Sequence, residues 1–206
     1  AKEWNHVILV DSGDVLSMNH EVPPEQVPSL EPKAEVYVKA HTKLGYSAAA
    51  IGDRDLKLLG VEGLKRVEAK GKVPFVCANI VNDKNEPVFK PYVIVTKGEY
   101  KIAILGLITG GAEPKAGEPY KVLGPDEAAK RWLPEILKEN PAAIVALAHV
   151  DRRDMENVVK AAPGIDLILD GQSMGKSVAL EKVGDSWYCE GGQRGQDETE
   201  NDGLEV

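Results

Sequence analysis

Cysteine is nearly missing: Cys77 and Cys189 are the only two among 206 residues. They lie far apart, with no CxxC, CxxCH or finger spacing, which excludes zinc ribbons and covalent haem attachment. Spacing leaves a Cys77–Cys189 bridge open, and two buried free thiols are the plainer reading. Long apolar runs are absent too, and nothing approaches the ~20 residues that cross a bilayer. No secretory leader is visible, so the chain is expected to be cytoplasmic or already processed. Basic charge is outweighed, with 25 Lys and Arg against 33 Asp and Glu. A nucleic-acid binder needs a basic footprint, and none is present. Much of the excess acid sits in the last ten residues, at Asp197, Glu198, Glu200, Asp202 and Glu205. Residues 196–206 are therefore expected to form an acidic, disordered tail. The remainder, 1–195, is long enough for one α/β domain with a real core.

What the chain does have is a recurrence. Four short apolar runs end abruptly in acidic, amide or imidazole side chains. His6–Val10 runs into Asp11-Ser12-Gly13-Asp14, and Ala48–Ile51 into Gly52-Asp53-Arg54-Asp55. Ala143–Leu147 runs into Ala148-His149, and Ile165–Leu169 into Asp170-Gly171-Gln172-Ser173. Apolar runs bounded by turn residues predict strands covered on both faces by helices. In such sheets ligand and metal chemistry gathers at the carboxyl ends of the strands.

Between these runs the order alternates strand and helix. Pro32–Gly45 reads as a helix with Val36, Ala40 and Leu44 as its apolar stripe and Gly45 as its stop. Val61–Gly71 is a second helix, with Leu64 and Val67 inward, and Val73–Ile80 a strand. Pro91–Thr96 and Tyr100–Ile108 form a hairpin around Lys97-Gly98-Glu99, its second arm a central strand. Gly110–Gly124 is a loop. Asp126–Asn140 is an amphipathic helix that Pro134 should kink. Asp151–Ala162 is another, with Asp151 as N-cap. Val178–Val183 and Trp187–Glu190 make a last hairpin. Gly171–Ser177 imitates a phosphate-binding loop, but has three residues between its glycines instead of four and leads into a strand, so that reading is rejected.

A hard or borderline divalent ion wants carboxylate oxygens and imidazole nitrogens converging from rigid elements. Asp14, Asp53 and His149 are the right types for one ion, and Gln172 adds an amide oxygen. His6, His20 and His41 are isolated and read as surface or structural. Arg152 and Arg153 lie beside the expected pocket and could hold a phosphate or another anion; the plainer reading is the solvated first turn of a helix.

The segments VDSGDVL, LGYSAAAIGDRDL, VPFVCANIV, YKIAILGLIT, IVALAHVD and PGIDLILDGQS carry a resemblance. Over about residues 6–195 the chain resembles the calcineurin-like metallophosphoesterases, specifically the catalytic domain of bacterial periplasmic 5'-nucleotidases. The resemblance implies an α/β/β/α four-layer sandwich. It implies two ions held by D-x-H, GD, GNH[DE], H and GH-x-H motifs, in that order. Asp14 matches the metal-bridging aspartate and His149 the lone histidine. Gly52-Asp53-Arg54-Asp55 stands for GNH[DE], which puts Arg54 and Asp55 at the catalytic positions. An arginine there donates no proton at useful pH; it steadies phosphoryl oxygens, or pairs with Asp14 or Asp53 in place of a cation. Gly171-Gln172-Ser173-Met174 stands for GH-x-H without its histidines. The D-x-H motif, and the strand that carries it, is expected to be missing. At most one ion of the Mn, Zn or Fe class is therefore expected, held by Asp14, Asp53, His149 and Gln172. The implied function is a divergent phosphoesterase acting on a small phosphorylated molecule; the alternative is a non-catalytic module for partner or anion binding. The resemblance also implies a periplasmic or exported location.

Overall fold

A computed structural model describes residues 7–15, 22–114, 117–172 and 178–190. His6, His20 and the acidic tail lie outside these residues. Elements follow in the order β1 (Leu9–Asp11), α1 (Leu30–Leu44), β2 (Tyr46–Ala50), α2 (Asp53–Glu68), β3 (Phe75–Val76) and β4 (Ile80–Val81). Then come β5 (Tyr92–Lys97), β6 (Tyr100–Ile108), β7 (Lys121–Val122), α3 (Pro125–Lys138) and β8 (Ala143–His149). The last are α4 (Arg152–Ala161), β9 (Leu167–Asp170), β10 (Val178–Val183) and β11 (Ser186–Glu190).

Strands β1, β2 and β3 form a small parallel sheet. A six-stranded sheet in the order β10-β11-β9-β8-β6-β5 is parallel in its centre and antiparallel at both edges. Three apolar clusters separate four layers. One joins α1 and α2 to the small sheet, through residues such as Leu30, Leu56, Leu64 and Phe75. A second lies between the sheets, at Ala48, Ala50, Val76, Ile104 and Leu147. A third seats α3 and α4 on the large sheet, through Leu133, Ile136, Met155 and Val158. This is the α/β/β/α sandwich that the resemblance implies. The inner-facing alanines let the sheets approach closely, and Gly106 in β6 has no side chain at all to hold them apart.

Several local expectations meet the structure directly. Gly45 ends α1 in the left-handed region at φ 79°, and the Asp151 carboxylate accepts the Asp154 N–H at 2.8 Å as the cap of α4. The strand at β10 starts where a phosphate-binding loop would need a helix. Both cysteines are free thiols; Cys77 is buried and Cys189 only partly so. Burial pushes the Cys77 thiol up to about 11.

Others are corrected. Val36 and Leu44 are 67% and 64% exposed, so this apolar stripe faces out. The buried face of α1 is Leu30, Ala34, Val38 and His41. His41 belongs in it because its ring stacks on Tyr46 at 4.1 Å and its Nε2 lies 3.4 Å from Asp11 Oδ2. Helix α2 is two helices joined across a kink at Gly60, where φ is 68°: the second starts at Val61 as expected, and the first, from Asp53, was not anticipated. Glu118 starts the second by accepting the Val61 N–H at 2.8 Å. The single strand expected over Val73–Ile80 is two short ones, β3 and β4, in different sheets. Buried Asn79 sits between them, taking the Ile108 N–H at 3.0 Å and donating to the Ile108 and Leu123 carbonyls. The loop 110–124 contains β7, which pairs with β4. Helix α3 continues through Pro134.

Candidate metal centre

The site is built on strand ends. Beyond β1 the chain turns sharply at Ser12 and Gly13, with the Asp11 carboxylate accepting the Gly13 N–H at 2.8 Å. That turn leaves Asp14 at φ 59°, a left-handed conformation that aspartate tolerates better than most side chains. From there Asp14 reaches the first turn of α2. Its Oδ1 accepts the backbone N–H of Arg54 at 3.0 Å and, more weakly, that of Asp55 at 3.4 Å. Asp55 replies, its Oδ2 accepting the Asp14 N–H at 2.9 Å. Gly52, the N-cap position of α2, offers no side chain of its own. The helix is therefore capped across the fold, by a residue forty positions upstream of Arg54. A Cβ on Gly52 would lie 2.0 Å from Asp14 Oδ1, so glycine is needed for the approach.

Strand β8 delivers His149 to the same place, 2% exposed. Its Nδ1 lies 3.2 Å from the Ser12 carbonyl. An Nδ1–H donated there leaves Nε2 to face the carboxylates, the arrangement common among metal-binding histidines. Nε2 sits 3.0 Å from Asp14 Oδ2 and 3.2 Å from Asp53 Oδ1. One ligand atom from each of Asp14, Asp53 and His149 falls within 4.8 Å of the others. Asp14 Oδ2 is buried and accepts no hydrogen bond among the described residues; its charge is met by His149 and by Arg54, whose Nε is 3.2 Å away. Burial on its own would lower the His149 pKa, but the adjacent Asp14 and Asp53 carboxylates outweigh it and lift it to about 10.

The donors fit a divalent ion: two carboxylate oxygens and an oriented imidazole nitrogen, converging from three parts of the fold. An ion takes the neutral imidazole, whereas the ion-free pocket holds imidazolium near neutral pH. Uptake at a pH of about 7.5 should therefore release about one proton. The sign follows from a pKa raised from 6.5 to about 10: ion affinity rises with pH across that interval and levels above it. Calorimetry in two buffers of different ionisation heat measures the release; identical apparent heats in both would contradict it.

The other expected site residues are placed as follows. Gln172 follows β9, and its backbone N–H donates to Asp170 Oδ1 at 2.9 Å. Its amide Oε1 is buried and accepts no hydrogen bond among the described residues. Asp55 is buried and braces Asp14. Arg54 takes the second of the two postures expected of it, beside Asp14. Arg152 turns away towards Glu181 and Glu156 and lies over the Tyr188 ring at 5.3 Å.

Sequence reasoning missed three supports. Ser12 orients His149 through its carbonyl and donates its hydroxyl to Leu169 O at 3.1 Å. The Asp11–His41 pair holds the turn before Asp14, and burial raises the Asp11 pKa against the Gly13 N–H and His41. Asp170, buried, accepts from Val150 N, Gln172 N and the Tyr188 hydroxyl; burial raises its pKa too, against those same donors. It ties the end of β8 to the end of β9. Only His41 left a signal, its spacing from Ala34 and Val38.

No family model matches the chain. It is 31% identical over 171 residues to the silent protein UshA(0) of Salmonella typhimurium, covering 80% of this chain and 30% of that one. A 5'-nucleotidase of Vibrio parahaemolyticus is 29% identical over 191 residues, covering 83% and 32%. The chain thus spans about a third of the length of these curated relatives. Among solved structures, the Thermus thermophilus sulfate thiohydrolase SoxB superposes with a TM-score of 0.75 at 22% identity, over 90% of this chain and 33% of that one. That likeness shows the fold alone. Sequence similarity to the nucleotidases, the layered α/β fold and the strand-end triad together support a metallophosphoesterase domain of the 5'-nucleotidase type.

Proposed function

We propose that residues 1–195 form one phosphoester-hydrolysing domain with a single divalent ion of the Mn, Zn or Fe class held by Asp14, Asp53 and His149. The observation that carries this reading is the meeting of three ligand atoms from three separate elements within 4.8 Å. Gln172 is the fourth ligand, supported by a buried amide oxygen that has no partner among the described residues. When bound, such an ion polarises phosphoryl oxygens and makes a nucleophile available near neutral pH. The protein's own part is positional. Asp14 is locked by the α2 N-terminus, His149 by Ser12, and Asp53 by its place in the first turn of α2. Asp55 acts by holding Asp14 in place. Arg54 steadies the phosphoryl oxygens, a planar fork suited to bidentate contact. The substrate is a small phosphorylated molecule, by analogy with the nucleotidases the chain resembles, and that analogy also favours export.

A second reading is favoured by the Arg54–Asp14 contact at 3.2 Å: a fold retained for partner or anion binding, with the cation supplied by the protein. Elemental analysis after dialysis, paired with p-nitrophenyl phosphate turnover under added Mn²⁺, separates the two. The hydrolase reading expects about one ion per chain and turnover that vanishes in His149→Ala. No ion and no turnover would leave the binding module standing.

A further inference from the structure

We infer that Arg54 and a divalent ion compete for Asp14 Oδ2, so that ion uptake frees the Arg54 guanidinium to take an oxyanion. This rests on the single-ion reading above and adds a linkage to it. The two oxygens of Asp14 have different commitments. Oδ1 is occupied by the backbone N–H groups of Arg54 and Asp55, which leaves Oδ2 as the oxygen open to a cation. Around Oδ2 stand His149 Nε2 at 3.0 Å and Arg54 Nε at 3.2 Å. The histidine nitrogen can become a ligand beside the ion. The guanidinium cannot: it has no acceptor, keeps its charge, and would lie against a doubly charged cation in a pocket where the Asp14 side chain is 7% exposed.

The backbone of Arg54 is pinned at the first turn of α2, while its side chain is 26% exposed. Rotation about its own bonds carries the head outward and leaves the helix undisturbed. A guanidinium released there remains at the mouth of the ion pocket, where a phosphate-like oxyanion is its natural partner. Binding linkage is reciprocal, so an oxyanion that holds Arg54 outward tightens the ion by the factor with which the ion tightens the oxyanion. Ion and phosphate then load together, and the ion-free site is closed by its own arginine.

The test measures Mn²⁺ affinity by calorimetry on the full chain, for wild type and Arg54→Gln, each with and without inorganic phosphate. Arg54→Gln should bind Mn²⁺ alone about tenfold more tightly, the range expected for removing a nearby like charge that is partly free to move. Phosphate should tighten Mn²⁺ less in Arg54→Gln than in wild type, because the direct ion–phosphate contact survives and the arginine's share is lost. Mn²⁺ bound only by the variant supports the competition in its strongest form. Equal or weaker binding by the variant, with wild type binding normally, overturns it and leaves the single-ion reading intact. Absence of binding in both overturns the two together. Matching thermal melts of the two proteins establish that the difference is local.

Discussion

Asp14→Ala should abolish ion binding and turnover together, and also lower folding stability by about 2–3 kcal/mol. The two losses have separate causes. Asp14 Oδ2 is the proposed ligand, whereas Oδ1 caps α2 through the Arg54 and Asp55 N–H groups. Losing such a cap costs about 1–2 kcal/mol, and placing alanine at φ 59° adds about 1 kcal/mol of backbone strain. Asp14→Asn separates them. Asparagine tolerates the left-handed backbone and keeps an oxygen for the cap, but carries no charge towards His149 and Arg54. It should lose less stability than alanine, the remaining loss coming from the charge taken away from His149 and Arg54, while ion affinity falls by about a hundredfold, the usual scale for loss of a buried charged partner. An Asp14→Asn variant that held its ion as wild type does would remove Asp14 from the ligand set. An Asp14→Ala variant as stable as wild type would remove the cross-fold cap.

Gly106→Ala should be the most damaging single methyl in the interior. A Cβ at Gly106 would lie 2.1 Å from the Val76 carbonyl oxygen and 2.4 Å from its carbonyl carbon. These are backbone atoms of the facing small sheet, so no side chain can rotate away. Relief requires parting the sheets where Ala78 N donates to Gly106 O at 2.8 Å. The cost is at least about 3 kcal/mol, equivalent to a melting point lower by about 10 °C for a domain of this size. The site should weaken with it, since Asp14 and Asp53 ride on the small sheet and His149 on the large one. Urea unfolding and Mn²⁺ titration read both effects. Unchanged stability would mean that the sheets approach less closely than described.

Much of the local structure was legible because its causes are local. Apolar runs bounded by polar turns mark β1, β2, β8 and β9, and a glycine that accepts positive φ ends α1. An aspartate with a backbone N–H to accept three residues on caps α4. The same logic failed where the cause lies elsewhere in the chain. Two stripes compete on α1, and hydropathy chose Val36, Ala40 and Leu44 because it scores His41 as polar. Burial of His41 is decided by Tyr46 and Asp11, which only folding brings near it. The first half of α2 carries no cap in its own sequence, since its cap is Asp14. The run from Val73 to Ile80 divides because Asn79 is drawn off to the end of β6 and to β7.

The chemistry divides along the same line. Residue order by itself determined which side chains end the buried strands, and so which donor types are on offer: two aspartates, a histidine and an amide. Side-chain type and strand burial are properties a short stretch carries with it. Tertiary structure decided that β1 and β2 lie in one sheet and β8 and β9 in another, and that their ends still meet at one edge. It alone set Asp14 between a helix N-terminus, an imidazole and a guanidinium, because ångström distances arise from packing two sheets face to face.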